Sequence, residues 1–335
     1  MPEFRLNVVT NQWVLVAGNR GGRPHDAPNV PGGQADHGAL PEHDPDCPFC
    51  PGNEAKLPLI KLERQSEDPD GWSVRVVPNK YPLVDDVERE TPAADREDVS
   101  RSALGFHEVV IETPRHNGSL ERMTAAEVSH LLEVIQTRVR TLMEEEAVRW
   151  VLPFRNHGRR AGTSLVHPHS QIVAMDTIPR PFADRVSVAQ GFFEDQGACV
   201  LCEMIGQEER NGVRMVISRP DFSAFVPFAA ASPYEVWLVP NEHQADFDQL
   251  DGRQLGKLAE ALRDLLQKLE RGLGGPDYNL MVITAPKKDR GALFFHWYVQ
   301  LTPRVTTRAG FEIATGINVN ASLPEEDAAF LRDVK

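Results

Sequence analysis

Long uninterrupted hydrophobic runs are missing from this chain. Its most apolar stretch, Phe222 to Pro240, is broken by Pro227, Pro233, Pro240 and Glu235, which suits short strands better than a helix that crosses a bilayer. An excess of basic charge is missing too. Thirty-six Lys and Arg face 49 Asp and Glu, a formal charge of −13 with no tail of like charge. That balance argues against nucleic-acid or anionic-membrane partners, because both need a basic surface. The opening Met-Pro-Glu-Phe-Arg lacks the basic-then-apolar order of a secretory leader, so a soluble cytoplasmic protein is expected. What the chain does have is 335 residues at 41% hydrophobic content, enough for a substantial core in one large or two average domains.

Cysteine is scarce, but its placement is specific. The four residues form two pairs, Cys47-Pro-Phe-Cys50 and Cys199-Val-Leu-Cys202. In a reducing compartment a C-x2-C pair reads as metal-binding or redox-active rather than as a structural disulfide. Two pairs on one chain, each followed by histidines, favour zinc. Core thiols with unrelated histidines are the bland alternative.

The surroundings of the two pairs echo each other. Glu108-Val-Val-Ile-Glu-Thr-Pro-Arg-His116 matches Glu235-Val-Trp-Leu-Val-Pro-Asn-Glu-His243, with the histidine eight residues after the leading glutamate in both. Eight residues further stand candidate helix caps, Thr124 and Asp251. Thr124 has Glu127 three residues on, a capping-box pattern. Amphipathic spacing follows in each half: Val128, Leu131, Leu132, Ile135, Val139 and Leu142, then Leu255, Leu258, Leu262, Leu265, Leu266 and Leu269. Each half then delivers a second histidine, His167 at 51 residues after His116 and His296 at 53 after His243. The order predicts two copies of one α+β strand–helix–strand unit, residues 1–180 and 181–335. The join is expected between Met175 and Gly197, where Pro179 and Pro181 break the chain, with a helix from Asp184 to Glu194.

The duplication assigns the ligands: Cys47, Cys50, His116 and His167 in one set, Cys199, Cys202, His243 and His296 in the other. Each is a full tetrahedron with no open position, as structural zinc requires, so two Zn2+ per chain are expected. Closed sites of this kind contribute roughly 10–16 kcal/mol of apparent binding energy to folding in small zinc domains. His25, His37, His43, His107, His130 and His157 have no repeat partner, and surface or capping roles are expected for most of them.

Chemistry is sought where the copies differ. In an extended segment His167, His169 and Gln171 share one face. With His167 on metal, His169 is left free, and a neutral imidazole can act as nucleophile, base or ligand; merely orienting the neighbouring metal ligand is the alternative. Tyr298 stands in its place in the second copy, which makes the first copy the working one. Upstream, Asn156-His-Gly-Arg-Arg-Ala-Gly-Thr-Ser164 is not a Walker loop. Its Gly158 and Gly162 permit close backbone approach, and Arg159, Arg160, Thr163 and Ser164 offer donors to phosphate oxygens. Together these suggest histidine attack on phosphorus.

His167-Pro-His169-Ser-Gln171, preceded by Asn156, Gly162, Ser164 and Cys47-Pro-Phe-Cys50, resembles the galactose-1-phosphate uridylyltransferases of the histidine-triad superfamily. The likeness runs from Trp13-Val-Leu-Val and Arg20-Gly-Gly-Arg23 to Gly310-Phe-Glu312. The C-terminal half, with Cys199-Val-Leu-Cys-Glu203, Tyr234-Glu-Val-Trp237 and Phe311-Glu-Ile-Ala-Thr-Gly316, is similar to the plant-type ADP-glucose phosphorylase branch, which also carries a second cysteine–histidine zinc site. The resemblance implies duplicated HIT-like units with mostly antiparallel sheets and packed helices. It implies His169 as the nucleophile that forms a nucleotidyl-histidine, Gln171 as the residue that holds the phosphoryl oxygens, and Ser164 as a contact to the leaving phosphate. An amide in place of the third histidine of the triad hydrolases removes a general base, so the intermediate waits for a phosphate acceptor rather than water. Substrate-binding positions implied are Arg20, Arg23, Asn79, Asn156, Phe311 and Glu312, the last two reaching into the partner subunit's site of a homodimer; Gly162 and Thr163 of the loop are expected to join them through close backbone approach and a hydroxyl donor.

Departures from the pattern point both ways. Phe311 replaces a tyrosine, and Tyr298 replaces a histidine of an iron site; both lean toward the phosphorylase branch, whereas His-Pro-His leans toward the uridylyltransferases. The leading expectation is UMP exchange between UDP-glucose and a hexose 1-phosphate. The rival is ADP-glucose with inorganic phosphate as acceptor, and a rival of another class is a zinc-stabilised nucleotide-binding protein without turnover.

Overall fold

The computed structural model describes residues 1–22, 40–66, 71–86 and 100–335. The first half runs β1 (Glu3–Asn7), β2 (Gln12–Val16), β3 (Leu62–Gln65), β4 (Trp72–Pro78), β5 (Gly105–Ile111), α1 (Ala125–Glu144), β6 (Trp150–His157) and β7 (His169–Met175). Then follow α2 (Arg180–Gln196), α3 (Val200–Asn211), β8 (Met215–Ser218), β9 (Phe222–Phe225), β10 (Val236–Pro240), α4 (Gly252–Leu273), β11 (Tyr278–Ile283) and β12 (Tyr298–Pro303). The chain closes with α5 (Gly310–Thr315), β13 (Asn318–Asn320) and α6 (Pro324–Asp333).

Ten strands make one sheet in the order β3-β4-β5-β7-β6-β11-β12-β10-β9-β8. Its pairings are all antiparallel. Counted outward from the β6–β11 seam, the two directions repeat the same plan: seam strand, a strand that begins two residues after His167 or His296, the strand of the Glu-Val segment, then two edge strands. The duplicated, mostly antiparallel α+β architecture expected from the sequence is therefore present. A separate three-stranded sheet pairs β1 with β2 and β2 in parallel with β13, so the N-terminal hairpin rests on a C-terminal segment.

The helices form where the caps and periodicity placed them. Thr124 and Asp251 each accept from the N–H three residues on, and Glu127 and Gln254 reach back to complete both capping boxes. Leu131, Leu132, Val139 and Leu142 of α1 and Leu255, Leu258, Leu262 and Leu265 of α4 are buried in one core that spans both halves. Each such side chain contributes roughly 1.5–3 kcal/mol by leaving water. The helix expected from Asp184 to Glu194 extends to Arg180–Gln196. Pro179 is its N-cap and Pro181 lies in its first turn, where a missing N–H costs nothing. The prolines start this helix rather than break the chain. Among the described residues no helix is long and apolar enough to cross a membrane.

Candidate active site and metal centres

Two groups of four potential ligand atoms, one per half, each lie within 4.8 Å of one another: Cys47, Cys50, His116 and His167, and Cys199, Cys202, His243 and His296. In the first, the Cys50 sulfur is 3.5 Å from His116 Nδ1 and 3.6 Å from His167 Nδ1, and the Cys47 sulfur is 3.6 Å from His167 Nδ1. A tetrahedral zinc with ordinary Zn–S and Zn–N bonds sets the S···N edge at about 3.6 Å. In the second, Cys202 lies 3.3 Å from Nδ1 of both His243 and His296. The far nitrogens are also placed alike. His167 Nε2 donates to the Thr113 carbonyl at 2.8 Å, and His296 Nε2 to the equivalent Pro240 carbonyl at 3.1 Å. Those bonds fix the tautomer that turns Nδ1 toward the shared centre. Either group could hold a metal ion.

His169 opens β7 two residues beyond His167 and is buried. Its Nδ1–H donates to the His167 carbonyl at 2.9 Å, so the neutral ring keeps its lone pair on Nε2. Burial holds this imidazole below its usual range. Among the described residues no hydrogen bond engages Nε2. Strand alternation puts Gln171 on the same face, and both line a cavity of about 510 Å³ together with Ser164, Asn79, Phe49 and Tyr81. The intervening Ser170 points to the opposite face, where its hydroxyl donates to Glu112 at 2.6 Å.

The glycine-bearing loop is shaped by the second half across the seam. Asn156 and Asn279 face each other between β6 and β11, and Asn279 Nδ2 donates to Asn156 Oδ1 at 2.7 Å and to the Ala161 carbonyl at 2.9 Å. Asp277 accepts from the Arg160 N–H at 2.6 Å. Gly158 has φ +81°, and a Cβ there would lie 1.9 Å from Asp277 Oδ1. Gly162 ends the short turn in the left-handed region, φ +94°, and the Thr163 hydroxyl donates to the Leu165 carbonyl at 3.0 Å.

The equivalent place in the second copy is closed. Tyr298 stacks on Trp237 with ring centroids 4.5 Å apart and accepts from Arg185 at 2.9 Å. The cavity that it lines with Arg185 and Ala189 of α2 measures about 10 Å³. The first copy presents an open pocket beside its metal group.

A family model described as the N-terminal domain of galactose-1-phosphate uridyl transferase matches residues 1–179, more than half of the chain. The chain belongs to that family. Its similarity to an ADP-glucose phosphorylase of Arabidopsis thaliana is 30% identity over 99% of this chain and 93% of that protein. A crystal structure of an ADP-glucose phosphorylase from the same plant, with bound ADP-glucose, has a TM-score of 0.85 at 29% identity and covers all of both chains. The galactose-1-phosphate uridylyltransferase of Thermotoga maritima is 27% identical over 100% of this chain and 99% of its own length. This member of the uridylyltransferase family is thus a nucleotidyltransferase.

Not every position expected to bind substrate gathers at His169 in this family member. Arg20, Phe311 and Glu312 line a second cavity of about 290 Å³, which shares no lining residue with the first. Glu312 is engaged there as a cap, accepting from the N–H groups of Ala309 at 2.8 Å and Val319 at 3.3 Å. Arg23 lies outside the described residues. One residue of the site was missed. His107 was assigned with the surface and capping histidines, but it is buried in β5, where Gln171 Oε1 sits 2.9 Å from its Nε2. The signal was available only as strand pairing, since β5 lies beside β7.

Proposed function

We propose that this chain transfers a nucleoside monophosphate from a nucleotide-sugar to a phosphate acceptor by double displacement at His169. The observation that carries the reading is one imidazole whose Nε2 is unengaged and whose ring lines the open cavity with Gln171, Ser164 and Asn79. In the first step Nε2 attacks the α-phosphorus. The P–N bond forms as the bond to the sugar 1-phosphate breaks, and the sugar 1-phosphate departs with the electron pair. In the second, an acceptor phosphate oxygen attacks the same phosphorus and His169 leaves. Gln171, an amide, stabilises phosphoryl oxygens without activating water. Ser164 is assigned to the leaving phosphate, and Asn79, Asn156, Gly162 and Thr163 to the surrounding nucleotide and phosphates.

Of the two donor–acceptor pairs weighed from the sequence, ADP-glucose with inorganic phosphate is now the better supported. The likeness to the plant phosphorylase is the higher one, and the second metal group is complete. UMP exchange between UDP-glucose and a hexose 1-phosphate is the second reading, favoured by the proline of His167-Pro-His169. Both metal groups are assigned to Zn2+, which in a closed site braces the fold. The shared cavity of Arg20, Phe311 and Glu312 is assigned, with Arg23, to the hexose side of the partner's site in a homodimer. The join between halves is placed near residue 180, and the protein is assigned to the cytoplasm.

The test is direct. Protein mixed with ADP-glucose or UDP-glucose labelled at the α-phosphorus should form an acid-labile, base-stable adduct that His169→Gly loses. Adding phosphate or galactose 1-phosphate then shows which acceptor discharges it. An adduct that persists in His169→Gly, or activity untouched by that change, sinks the proposal.

A further inference from the structure

His107 sits at the meeting point of two cavity-lining amides: Gln171 Oε1 lies 2.9 Å and Asn79 Nδ2 3.2 Å from its Nε2. The backbone N–H of Leu83 donates to its Nδ1 at 3.1 Å. A backbone N–H has only one sense, so Nδ1 is the acceptor, and the proton of the neutral ring must sit on Nε2. That N–H meets Gln171 Oε1 at 2.9 Å. The amide of Gln171 is thereby turned so that its oxygen is held by the ring and its NH2 group is the free end. Among the described residues no hydrogen bond engages that NH2. Asn79, whose own N–H donates to the His107 carbonyl at 2.7 Å, is held by Tyr81 N–H on its Oδ1 at 2.9 Å; its Nδ2, 3.2 Å from His107 Nε2, sets donor against donor there and leaves Gln171 Oε1 as the acceptor of the ring proton.

The second copy supplies an internal contrast. Its matching Gln300 is turned the other way: the Gln300 NH2 donates to the buried carboxylate of Glu235 at 3.0 Å. The matching Glu108 of the first copy is drawn off by Arg138, at 2.9 and 2.7 Å, which leaves Gln171 to His107. The glutamine NH2 is spent on a carboxylate in the closed copy and spared in the open one.

We infer that His107 is a positioning residue that holds Gln171 with its amide donors directed at the phosphoryl oxygens of the transferred nucleotide. The inference rests on the reading of His169 as the attacking group and of Gln171 as the phosphoryl contact. A freely rotating amide would present its oxygen to an anionic phosphoryl group in half of its orientations, a repulsive contact. A fixed N–H donor on that oxygen removes the choice before substrate arrives, which is how preorganised dipoles lower a barrier.

Two conservative variants divide the functions of the ring. His107→Asn keeps an acceptor near Nδ1 for Leu83 but loses the donor to Gln171; His107→Gln keeps a donor near Nε2 and loses the Leu83 contact. The readout is the single-turnover rate of adduct formation from ADP-glucose labelled at the α-phosphorus, or from UDP-glucose if that is the donor used, with nucleotide-sugar affinity and melting temperature measured alongside. His107→Asn should slow adduct formation about 10- to 100-fold, less than the 10²–10³ lost when such a donor is deleted outright, while affinity changes little. His107→Gln should retain most of the rate. In a Gln171→Met background, His107→Asn should cost nothing further. Equal losses in the two variants, an unchanged rate in His107→Asn, or additive losses with Gln171→Met would each overturn the inference. Failure of the wild-type protein to form any adduct is a separate result, and it would overturn the underlying reading of His169 instead.

Discussion

Arg155 Nε lies 2.9 and 3.1 Å from the two carboxylate oxygens of Glu112, and both side chains are sealed from solvent, at 2% and 3% exposure. The pair sits behind the His167–His169 segment: Glu112 N–H donates to the Pro168 carbonyl at 3.1 Å, and its carboxylate takes the Ser170 hydroxyl. Arg155 also donates to the Tyr278 hydroxyl at 2.8 Å, which carries the network over the seam into the second half. Removing one partner leaves a buried charge unpaired. Glu112→Gln should therefore lower unfolding free energy by about 3–5 kcal/mol, read by chemical denaturation. The double variant Glu112→Leu, Arg155→Met should recover more than half of that loss, because it removes both charges. A double variant as unstable as the single one would contradict the account.

The two metal groups should differ in what their loss does. Each group offers four protein ligand atoms, so zinc held there would act through folding, but only the first group has a member two residues from His169. Metal analysis of protein prepared without chelator should give about two zinc ions per chain. Cys202→Ala should halve that content and lower the melting temperature, with the turnover of the surviving folded protein close to wild type. His116→Ala should lower both. One ion or fewer in the wild-type protein, or an unchanged melting temperature in Cys202→Ala, would remove the second-site assignment.

The closed second copy yields a third expectation. Restoring a histidine by Tyr298→His should not restore a second reactive centre, since Arg185 and Ala189 of α2 reduce the space there to about 10 Å³ and Trp237 lies against the ring. Labelling with nucleotide-sugar should saturate at one nucleotide per chain, as in the wild type. A stoichiometry approaching two would show that the side chain alone had silenced this half.

Much of this was legible because ligand spacing and helix caps survive duplication almost unchanged. The Glu-to-His interval, the caps at Thr124 and Asp251, and the alternation His167, His169, Gln171 each depend on residues close in sequence, so periodicity exposes them. The seam was not legible. Asn279 meets Asn156 and Asp277 meets Arg160 only because β11 pairs with β6, and nothing local to either strand names its neighbour. His107 was misread for the same reason. Its role is set by a backbone N–H at Leu83 and a side chain on the next strand, and a lone histidine in an apolar strand carries no mark of either. Pro179 and Pro181 misled differently, since the same residues that end a helix also begin one.

The loop between β6 and β7 tolerates no side chain at Gly158. A Cβ would lie 1.9 Å from Asp277 Oδ1, on a backbone at φ +81°. Gly158→Ala should displace Asp277, free the Arg160 N–H and cost about 1–3 kcal/mol of stability, with a loss of kcat/KM as the loop shifts. Adding Asp277→Gly removes the clash but not the strained φ. The double variant should regain part of the stability lost in the single one. If it regains none, the conformational requirement alone sets the need for glycine.

Asp327 gives the fold a pH dependence of definite sign. It is buried in α6, where its Oδ2 accepts from the Tyr234 N–H at 2.9 Å and from the Ser322 hydroxyl at 2.5 Å. Tyr234 stands at φ +59°, a left-handed conformation that this bond helps to hold. Burial, aided by the nearby Glu326 and Glu325, pushes the Asp327 carboxyl up to about 6, against an ordinary 3.8. The folded state therefore binds the proton more tightly than the unfolded chain. Between roughly pH 4 and pH 6 the native form carries more protons, so stability from this group falls as pH rises through that window. The stabilisation is fully present below about pH 4 and is lost above about pH 6, a change of about 3 kcal/mol. Asp327→Asn keeps an acceptor oxygen for Tyr234 and cannot titrate. Unfolding free energies of the two proteins, measured from pH 4 to pH 8, should diverge in favour of the asparagine form up to about pH 6 and run parallel beyond. A constant difference across the range would mean that Asp327 titrates alike in folded and unfolded chains.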